Sequence, residues 1–308
     1  MESICAIISS AELFTGVLVN VFIGLVNSID WVKTRRLSTL DFIITGLAIS
    51  RIILLWTLIP QLFLIGFYFH KNIDNKLRFT NTFWYVCSLS NVWFDTCFNV
   101  FLFLKIANFS HPVFLWLKWR VDKVVLKVLM GCLIISLLIC LPMTEVMTSI
   151  YFDQRNKVNM TGKIQLSSIS YIFPLIYFCL GCFPPFTLCL IVCFLLVLSL
   201  WRHTQNLQFR VTSSKDPRTE AYVKAMKFMV VFLFLFVLYH VSIFIAILSF
   251  SVFSNKLGTM FVMIIIAIYP LAHSIILILG NNKLRQASLR LLQKLKLYLR
   301  NPGKLFGT

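Results

Sequence analysis

Charge is scarce in this sequence, and acidic charge is scarcer still. Of the 308 residues only 13% are charged, and 11 aspartates and glutamates stand against 29 lysines and arginines. With 59% hydrophobic residues and a mean hydropathy of +0.85, the chain is too apolar for a soluble domain of this length. The composition therefore excludes a soluble globular protein and indicates a membrane protein.

Hydrophilic stretches long enough to fold as a separate domain are also missing. Instead, runs of the roughly 20 apolar residues that cross a bilayer recur along the whole chain. Pro60 in the second run and Pro184-Pro185 in the fifth are interpreted as kinks within single spans. We predict seven spans, near residues 6–28, 40–68, 82–104, 124–148, 170–200, 228–252 and 258–280. The predicted fold is an all-α membrane protein: a bundle of seven transmembrane helices over residues 1–281, with a short amphipathic cytoplasmic helix and tail over 282–308.

The basic residues are sorted by loop and not gathered into one patch, which argues against nucleic acid as a partner. Most of them fall in the predicted loops after helices 1, 3 and 5 and in the tail. The opposite loops carry Lys71, Lys76, Arg78, Arg155, Lys157, Lys163 and Lys256. The positive-inside rule then places the C-terminus in the cytoplasm and the N-terminus outside, in a multi-pass protein of the plasma membrane. Of the two glycosylation sequons, at Asn108 and Asn159, only Asn159 is predicted to carry glycan.

In the tail, leucines line one side of a predicted helix and basic residues can meet anionic lipid, so we expect this helix to lie on the inner leaflet of the bilayer. The leucines are Leu284, Leu291, Leu292 and Leu295, and the basic residues are Lys283, Arg290, Lys294 and Arg300.

Enzyme and metal-site motifs are absent. The nine cysteines lie in or beside apolar segments, and the C-x-x-C spacing of Cys179 and Cys182 falls inside an apolar helix, so we expect buried thiols and no cofactor. No H-E-x-x-H, G-x-S-x-G or paired-aspartate motif points to an intramembrane enzyme. A transporter or channel for a small solute is the alternative function, although seven spans do not divide into inverted repeats.

Polar residues at bilayer depth are costly and should face the interior of the bundle. On helix 3, Trp84, Ser88, Asn91, Asp95 and Asn99 share one face at about 100° per residue. For the last three residues, hydrogen bonding between helices without a ligand is an equal alternative. For Trp84 and Ser88, in the outer half, we favour the wall of a ligand pocket.

Arg51 is the one basic residue deep in a predicted span, and Asn20 and Ser274 lie at comparable depth. We predict that Arg51 is a structural hub or switch that contacts neighbouring helices. In the outer half, Trp56 and Gln61 on helix 2 and Tyr239 and His240 on helix 6 are candidates to close the pocket opposite Trp84.

Six blocks of sequence, in order, resemble those of the bitter taste receptors (type 2 taste receptors), a family of G-protein-coupled receptors. They are V-N-V-F-I-G-L-V-N with Asn20; L-A-I-S-R ending at Arg51; Trp93 with L-K-I-A-N-F-S and H-P-V-F-L-W-L-K-W-R; S-L-W-R-H-T at 199–204; K-D-P-R-T-E-A at 215–221; and Y-P-L-A-H-S at 269–274 with I-L-I-L-G-N-N-K-L-R-Q ending at Gln286. The D-R-Y, N-P-x-x-Y and helix-6 proline marks of rhodopsin-like receptors are missing. Ser88, Asp95, Leu102 and Met263 depart from residues common in the family, so ligand choice cannot be copied from a relative.

The resemblance implies a receptor that binds small bitter molecules in the outer half of the bundle and activates a gustducin-type G protein. The implied ligand-binding residues are Trp84, Ser88, Trp56, Gln61, Asn91, Tyr239 and Met263. The implied coupling residues are Lys105, His111, Arg202, His203 and Lys227. The structural or switch residues are Asn20, Arg51, Trp93, Pro185, His273 and Ser274.

Overall fold

Helices make up the part of the chain that the structure describes. The computed structural model describes residues 2–36, 38–68, 74–107, 111–161, 177–210, 217–252 and 256–300. The helices are α1 Glu2–Thr34, α2 Thr39–Tyr68, α3 Asp74–Ile106, α4 Pro112–Thr161, α5 Phe183–Arg210, α6 Pro217–Val252, α7 Lys256–Gly280 and α8 Asn282–Arg300. A π-helical turn, Tyr177–Cys182, leads into α5.

Capping residues explain where several helices begin. The Ser38 hydroxyl accepts the backbone N–H of Asp41 at 3.1 Å and donates to the Asp41 carboxylate at 2.8 Å, which caps the start of α2. Pro112 and Pro217 occupy the first positions of α4 and α6, where no helical N–H is needed. At the start of α8, the side-chain oxygen of Asn281 accepts the backbone N–H of Lys283 at 3.0 Å.

The helices close into a ring. Each of α1, α2 and α3 packs against the next, and α4 also packs on the π-helical turn. Helix α5 packs on α3, α6 joins α5 to α7, and α7 returns to α1 and α2. Six of the described helices have stretches long and apolar enough to cross a membrane, namely α1, α2, α3, α5, α6 and α7, and α4 contributes a shorter apolar stretch, Lys127–Ile139. The seven-helix membrane bundle predicted from the sequence is therefore confirmed.

The fourth helix corrects the predicted bounds of 124–148. It contains 50 residues, about 75 Å at 1.5 Å per residue, whereas the hydrocarbon core is about 30 Å thick. The segment from Pro112, interpreted as a loop because it is basic, is helical because its proline starts the helix and its charges lie on exposed positions. Hydropathy detects the membrane-embedded part of a helix and misses its polar extensions.

The position of the proline pair in α5 also differs from the prediction, which made the pair a kink within a single span. Pro184 and Pro185 lie in the first turn of α5, directly after the π-helical turn. Because proline has no N–H to donate, the regular α-helical bonding pattern cannot run through this pair. The buried Thr96 hydroxyl of α3 donates to the backbone oxygen of Pro185 at 3.2 Å. Pro185 thus fixes a contact between α3 and α5.

Two apolar clusters fill the bundle, one above the other along the helices. The cluster at the end where α8 lies includes Ile43, Phe98 and Leu196, and the cluster towards the opposite end includes Trp84 and Tyr239. We call these ends the α8 end and the far end. The cysteines with described side chains are buried within this interior, as predicted, and no disulfide joins them in that part of the chain.

Candidate functional site

A buried ion pair lies between the two apolar clusters. Arg51 on α2 donates from Nη2 to Oδ1 of Asp95 on α3 at 2.6 Å, and both side chains are 0% exposed. Two opposite charges in contact can remain ionised in a low-dielectric interior where either charge alone would be costly. The pair therefore fixes the relative position of α2 and α3 at mid-depth in the bundle.

Helix α7 supplies further partners to this pair. Nη1 of Arg51 donates to the Ser274 hydroxyl at 2.9 Å, and Nη2 also contacts the ring of His273. The Tyr269 hydroxyl donates to Oδ2 of Asp95 at 2.8 Å. Because α2, α3 and α7 all hold one ion pair, movement of any one of these helices must change its hydrogen bonds.

Two asparagines complete the network. Nδ2 of Asn91 donates to Oδ2 of Asp95 at 3.2 Å, and the Ser274 hydroxyl donates to the side-chain oxygen of Asn20 on α1 at 2.8 Å. The resulting polar layer consists of Asn20, Arg51, Asn91, Asp95, Tyr269, His273 and Ser274, all buried. Arg51, Asn20 and Ser274, which lie at comparable depth in the sequence, are connected in this layer, and the role of Arg51 as a hub or switch stays a prediction.

Sequence reasoning missed the strongest contact in the layer. It placed Asp95 on the polar face of helix 3, with hydrogen bonding between helices as one of two alternatives, and did not pair it with Arg51. The sequence does contain the information needed to pair them, because a single arginine and a single aspartate lie deep in neighbouring predicted spans. At that depth, an opposite charge lowers the free-energy cost of burying each charged side chain. Tyr269 was also missed, because a tyrosine in a helix at this depth is more often packing.

Four of the predicted ligand-binding residues converge in the cluster at the far end. The Ser88 hydroxyl and the Tyr239 hydroxyl are 3.2 Å apart, and Trp84, Tyr239 and Met263 belong to the same buried cluster. The indole N–H of Trp84 and Nε2 of His240 are buried, and neither has a hydrogen-bond partner among the described residues. Unpartnered buried polar atoms are rare, so the surroundings of Ser88 and Tyr239 offer hydrogen-bonding groups that no other described residue uses.

Two ligand-binding predictions do not fit this arrangement. Trp56 is 58% exposed and faces away from the bundle, because five residues at about 100° each rotate it well away from the inward-facing Arg51. Asn91 is directed into the polar layer, where it bonds Asp95. Trp56 therefore cannot line an internal pocket, and Asn91 takes the structural role that the sequence had left open as its alternative. The side chain of Gln61 lies outside the described residues.

Stacked aromatic rings join the far-end cluster to the polar layer. The Tyr239 and Tyr269 rings stack with centroids 4.5 Å apart and planes 22° apart. Tyr239 contacts Ser88 on one side, and Tyr269 donates to Asp95 on the other. Trp93, half-buried, packs against both apolar clusters. A displacement at Ser88 thus has a short packed route, through two side chains, to the buried ion pair.

A cavity of about 650 Å³ opens at the α8 end and reaches the polar layer at His273. Its walls are mainly apolar and include Phe98 on α3 and Phe232 on α6, with Lys224 and Arg285 as its two cations. Neither cation was predicted. Both lie in runs of basic residues, and sequence alone does not show which members of such a run face inward.

The predicted coupling residues Lys105, His111, Arg202 and Lys227 are not among the residues that line this cavity. Lys105 forms an exposed ion pair with Asp122 at 3.2 Å, and His111, Arg202 and Lys227 are exposed. The side chains of His203 and of the predicted glycosylation residue Asn159 lie outside the described residues.

Comparison with known proteins decides the family. The model of the family described as taste receptor protein (TAS2R) matches residues 1–296. The chain belongs to the type 2 taste receptor family. It is 42% identical over 285 residues, covering 91% of this chain and 90% of the relative, to taste receptor type 2 member 7 of Papio hamadryas. It is 43% identical over 295 residues, covering 94% and 96%, to taste receptor type 2 member 8 of Gorilla gorilla gorilla.

Membership makes this chain a G-protein-coupled bitter taste receptor and a multi-pass membrane protein, as the motifs predicted. Bitter taste receptors are not enzymes, so the absence of catalytic motifs was interpreted correctly. The transporter or channel alternative is dropped. In this receptor, the polar layer connects a cluster with unpartnered hydrogen-bonding groups to an open cavity at the opposite end, an arrangement suited to transmitting a binding event.

Proposed function

We propose that this receptor binds a small bitter agonist between α3, α6 and α7 in the far half of the bundle and activates a gustducin-type G protein that docks at the α8 end. One observation carries the proposal: packed and hydrogen-bonded contacts run from Ser88 and Tyr239 through Tyr269 and Asp95 to His273, which lines the cavity at the α8 end.

At the far end, the groups available to an agonist are the Trp84 N–H, the Ser88 and Tyr239 hydroxyls and Nε2 of His240. Met263 adds an apolar contact from α7. A mainly apolar molecule with one or two hydrogen-bond acceptors would accept the indole N–H of Trp84 and replace the hydrogen bond between Ser88 and Tyr239. Such a ligand gains hydrogen bonds that the empty receptor lacks, which favours binding.

An agonist shifts the receptor between states only by its differential affinity for them. Of the proposed agonist contacts, Tyr239 on α6 responds most directly to movement of α6 relative to α3. Its hydroxyl meets Ser88 of α3, and its ring stacks on Tyr269 of α7. Because the Tyr269 ring stacks on Tyr239, displacing Tyr239 changes the hydrogen bond that the Tyr269 hydroxyl donates to Asp95. The polar layer then passes the change to α2 and α7.

The positive-inside rule places the α8 end in the cytoplasm and the N-terminus outside, at the plasma membrane. The cavity at that end has room for a helix terminus of the G protein between apolar walls. Lys224 and Arg285 give it positive charge, which complements a carboxylate. Lys105, His111, Arg202 and Lys227 are exposed and would meet the outer surface of the G protein.

Dose-response curves for calcium release test the agonist site, using at least two unlike agonists and a promiscuous G protein. We expect Trp84→Ala to reduce agonist potency at least tenfold, about 1.4 kcal/mol, at normal surface expression. Trp56→Ala is the matched control, since it removes the same side chain from the outward face, and it should leave potency unchanged. Equal effects of the two substitutions, or lost expression with unchanged potency for Trp84→Ala, would remove the proposed site.

Gustducin coupling is tested separately. The receptor is co-expressed with a G-protein α subunit that carries either the gustducin C-terminal segment or that of an unrelated subunit. We expect a calcium response to agonist only with the gustducin segment. A response of equal size with both segments would contradict the proposed coupling preference without affecting the agonist site.

A further inference from the structure

A second concave surface lies at the α8 end, outside the helix ring, between the last turns of α1 and the first turns of α8. It encloses about 450 Å³. Its lining comes from α1 (Val26, Ile29, Asp30 and Lys33) and from α8 (Asn282, Lys283, Gln286, Ala287 and Arg290). We call it the α1–α8 groove. It has one carboxylate, that of Asp30, which is paired with Lys283. The groove shares Asn282 with the wall of the cavity beneath His273, and its other lining residues are its own.

An ion-paired lysine forms one end of the groove and fixes its shape. Nζ of Lys283 on α8 bonds Asp41 on α2 at 2.7 Å and Asp30 on α1 at 3.2 Å. These contacts hold the start of α8 against two helices of the bundle. The carboxylates of Asp30 and Asp41 neutralise the charge of Lys283. This lysine is therefore not available to lipid, contrary to the role that the sequence suggested for it.

The other two cations of the groove are available. Lys33 and Arg290 lie on opposite walls, both are exposed, and no carboxylate pairs with either one in the part of the chain that the structure describes. Gln286 also lines the groove and adds an uncharged amide that can donate a hydrogen bond. Two free cations and an amide facing one space suit an anion with several oxygen atoms, such as a phosphate ester.

Apolar surface continues from the groove towards the membrane. Ile29 is 53% exposed and Leu25, one turn earlier on α1, is 57% exposed. On α8, Leu292 and Leu295 are also exposed. An apolar helix face next to paired cations at the membrane boundary is complementary to a molecule with an anionic head and a hydrocarbon chain. A soluble phosphate compound would use the cations and leave the apolar surface uncovered.

We propose that the α1–α8 groove binds the headgroup of an anionic phospholipid from the inner leaflet, with its phosphate between Lys33 and Arg290 and an acyl chain along Val26 and Ile29. A lipid bound there joins α1 to α8 through two cations, adding to the direct contacts of Lys283. The site is distinct from both the agonist site and the G-protein cavity.

Native mass spectrometry of the purified receptor tests this site without agonist or G protein. The probes are phosphatidylinositol 4,5-bisphosphate and phosphatidylcholine with identical acyl chains. We expect the anionic lipid to bind preferentially to the wild-type receptor, and Lys33→Ala and Arg290→Ala each to weaken its binding about fivefold. Lys294→Ala is the matched control, since it removes an exposed cation of α8 that does not line the groove, and it should change binding less than twofold.

Three results would overturn the proposal. Equal loss in Lys294→Ala would show that lipid responds to the overall charge of α8 and not to the groove. Equal binding of phosphatidylcholine would show that the headgroup charge is not recognised. Competition by soluble inositol 1,4,5-trisphosphate as strong as by the intact lipid would show a site for free phosphate compounds. Lys33→Gln and Arg290→Gln, which keep part of the aliphatic chain and a polar end without charge, should reproduce the alanine results if folding is unaffected.

Discussion

Breaking the buried ion pair should be among the most damaging single changes to this receptor. In Asp95→Leu, the guanidinium of Arg51 keeps its charge at 0% exposure and loses its carboxylate partner, and the hydroxyl of Tyr269 and the amide of Asn91 lose their acceptor. Removing one member of a buried pair typically costs about 3–5 kcal/mol. We therefore expect Asp95→Leu to reduce surface expression strongly and to impair the response to every agonist alike.

The double substitution tests the reasoning more sharply than either single one. With Arg51→Leu added, no uncompensated charge remains, so the double variant should recover much of the stability that each single variant loses. Thermal stability in detergent and surface expression by flow cytometry are the measurements. Asp122→Leu is the control, because the pair of Asp122 with Lys105 is exposed on both sides and worth at most about 1 kcal/mol.

Two results would refute this account. If Asp95→Leu behaved like Asp122→Leu, the ion pair would not support the bundle. If the double variant were as unstable as the sum of the single variants, Arg51 and Asp95 would act independently.

Further predictions concern topology, coupling and the pocket. Asn159→Gln should abolish the mass shift removed by glycosidase while Asn108→Gln leaves it intact, because only the former is predicted outside the cell; an unchanged shift in Asn159→Gln would contradict the orientation. Lys224→Ala should reduce G-protein activation severalfold with agonist affinity little changed, whereas Lys227→Ala, at a residue that does not line the cavity, should have less effect; a radioligand assay and a nucleotide-exchange assay separate affinity from activation. Ser88→Asn should change the rank order of agonists, because it narrows the space beside Tyr239 and adds an amide; identical potency ratios in both receptors would contradict this.

Much of the bundle follows from sequence because the bilayer simplifies the problem. A lipid-facing helix must be apolar over about 20 residues and a polar face must point inward, so hydropathy locates the spans and the helical period locates the stripe of helix 3. Trp84, Ser88, Asn91, Asp95 and Asn99 are all buried, as that period required. The inward direction of Arg51 followed from the same rule.

Pairing between helices was harder to predict. The outward direction of Trp56 could have been worked out from the helical period, given an inward-facing Arg51. The contact of Arg51 with Asp95 could not, because it depends on which helices are neighbours. The extension of α4 to Pro112 was not predicted, because a polar helix outside the membrane has no hydropathy signal. The cavity at the α8 end is enclosed by residues of six helices, and no local sequence pattern around Lys224 or Arg285 shows that these two side chains line it.

The polar layer also divides the receptor into two parts that can change separately. Substitutions among the apolar residues beside Ser88 alter the half that we propose meets the agonist, and those beside Phe98 alter the half that we propose meets the G protein, while the ion pair between them need not change. A lineage of such receptors can therefore acquire new tastants without rebuilding its signalling surface. The reverse holds for Arg51 and Asp95, since replacing either one alone passes through an unstable intermediate, and the two residues are expected to be gained or lost together.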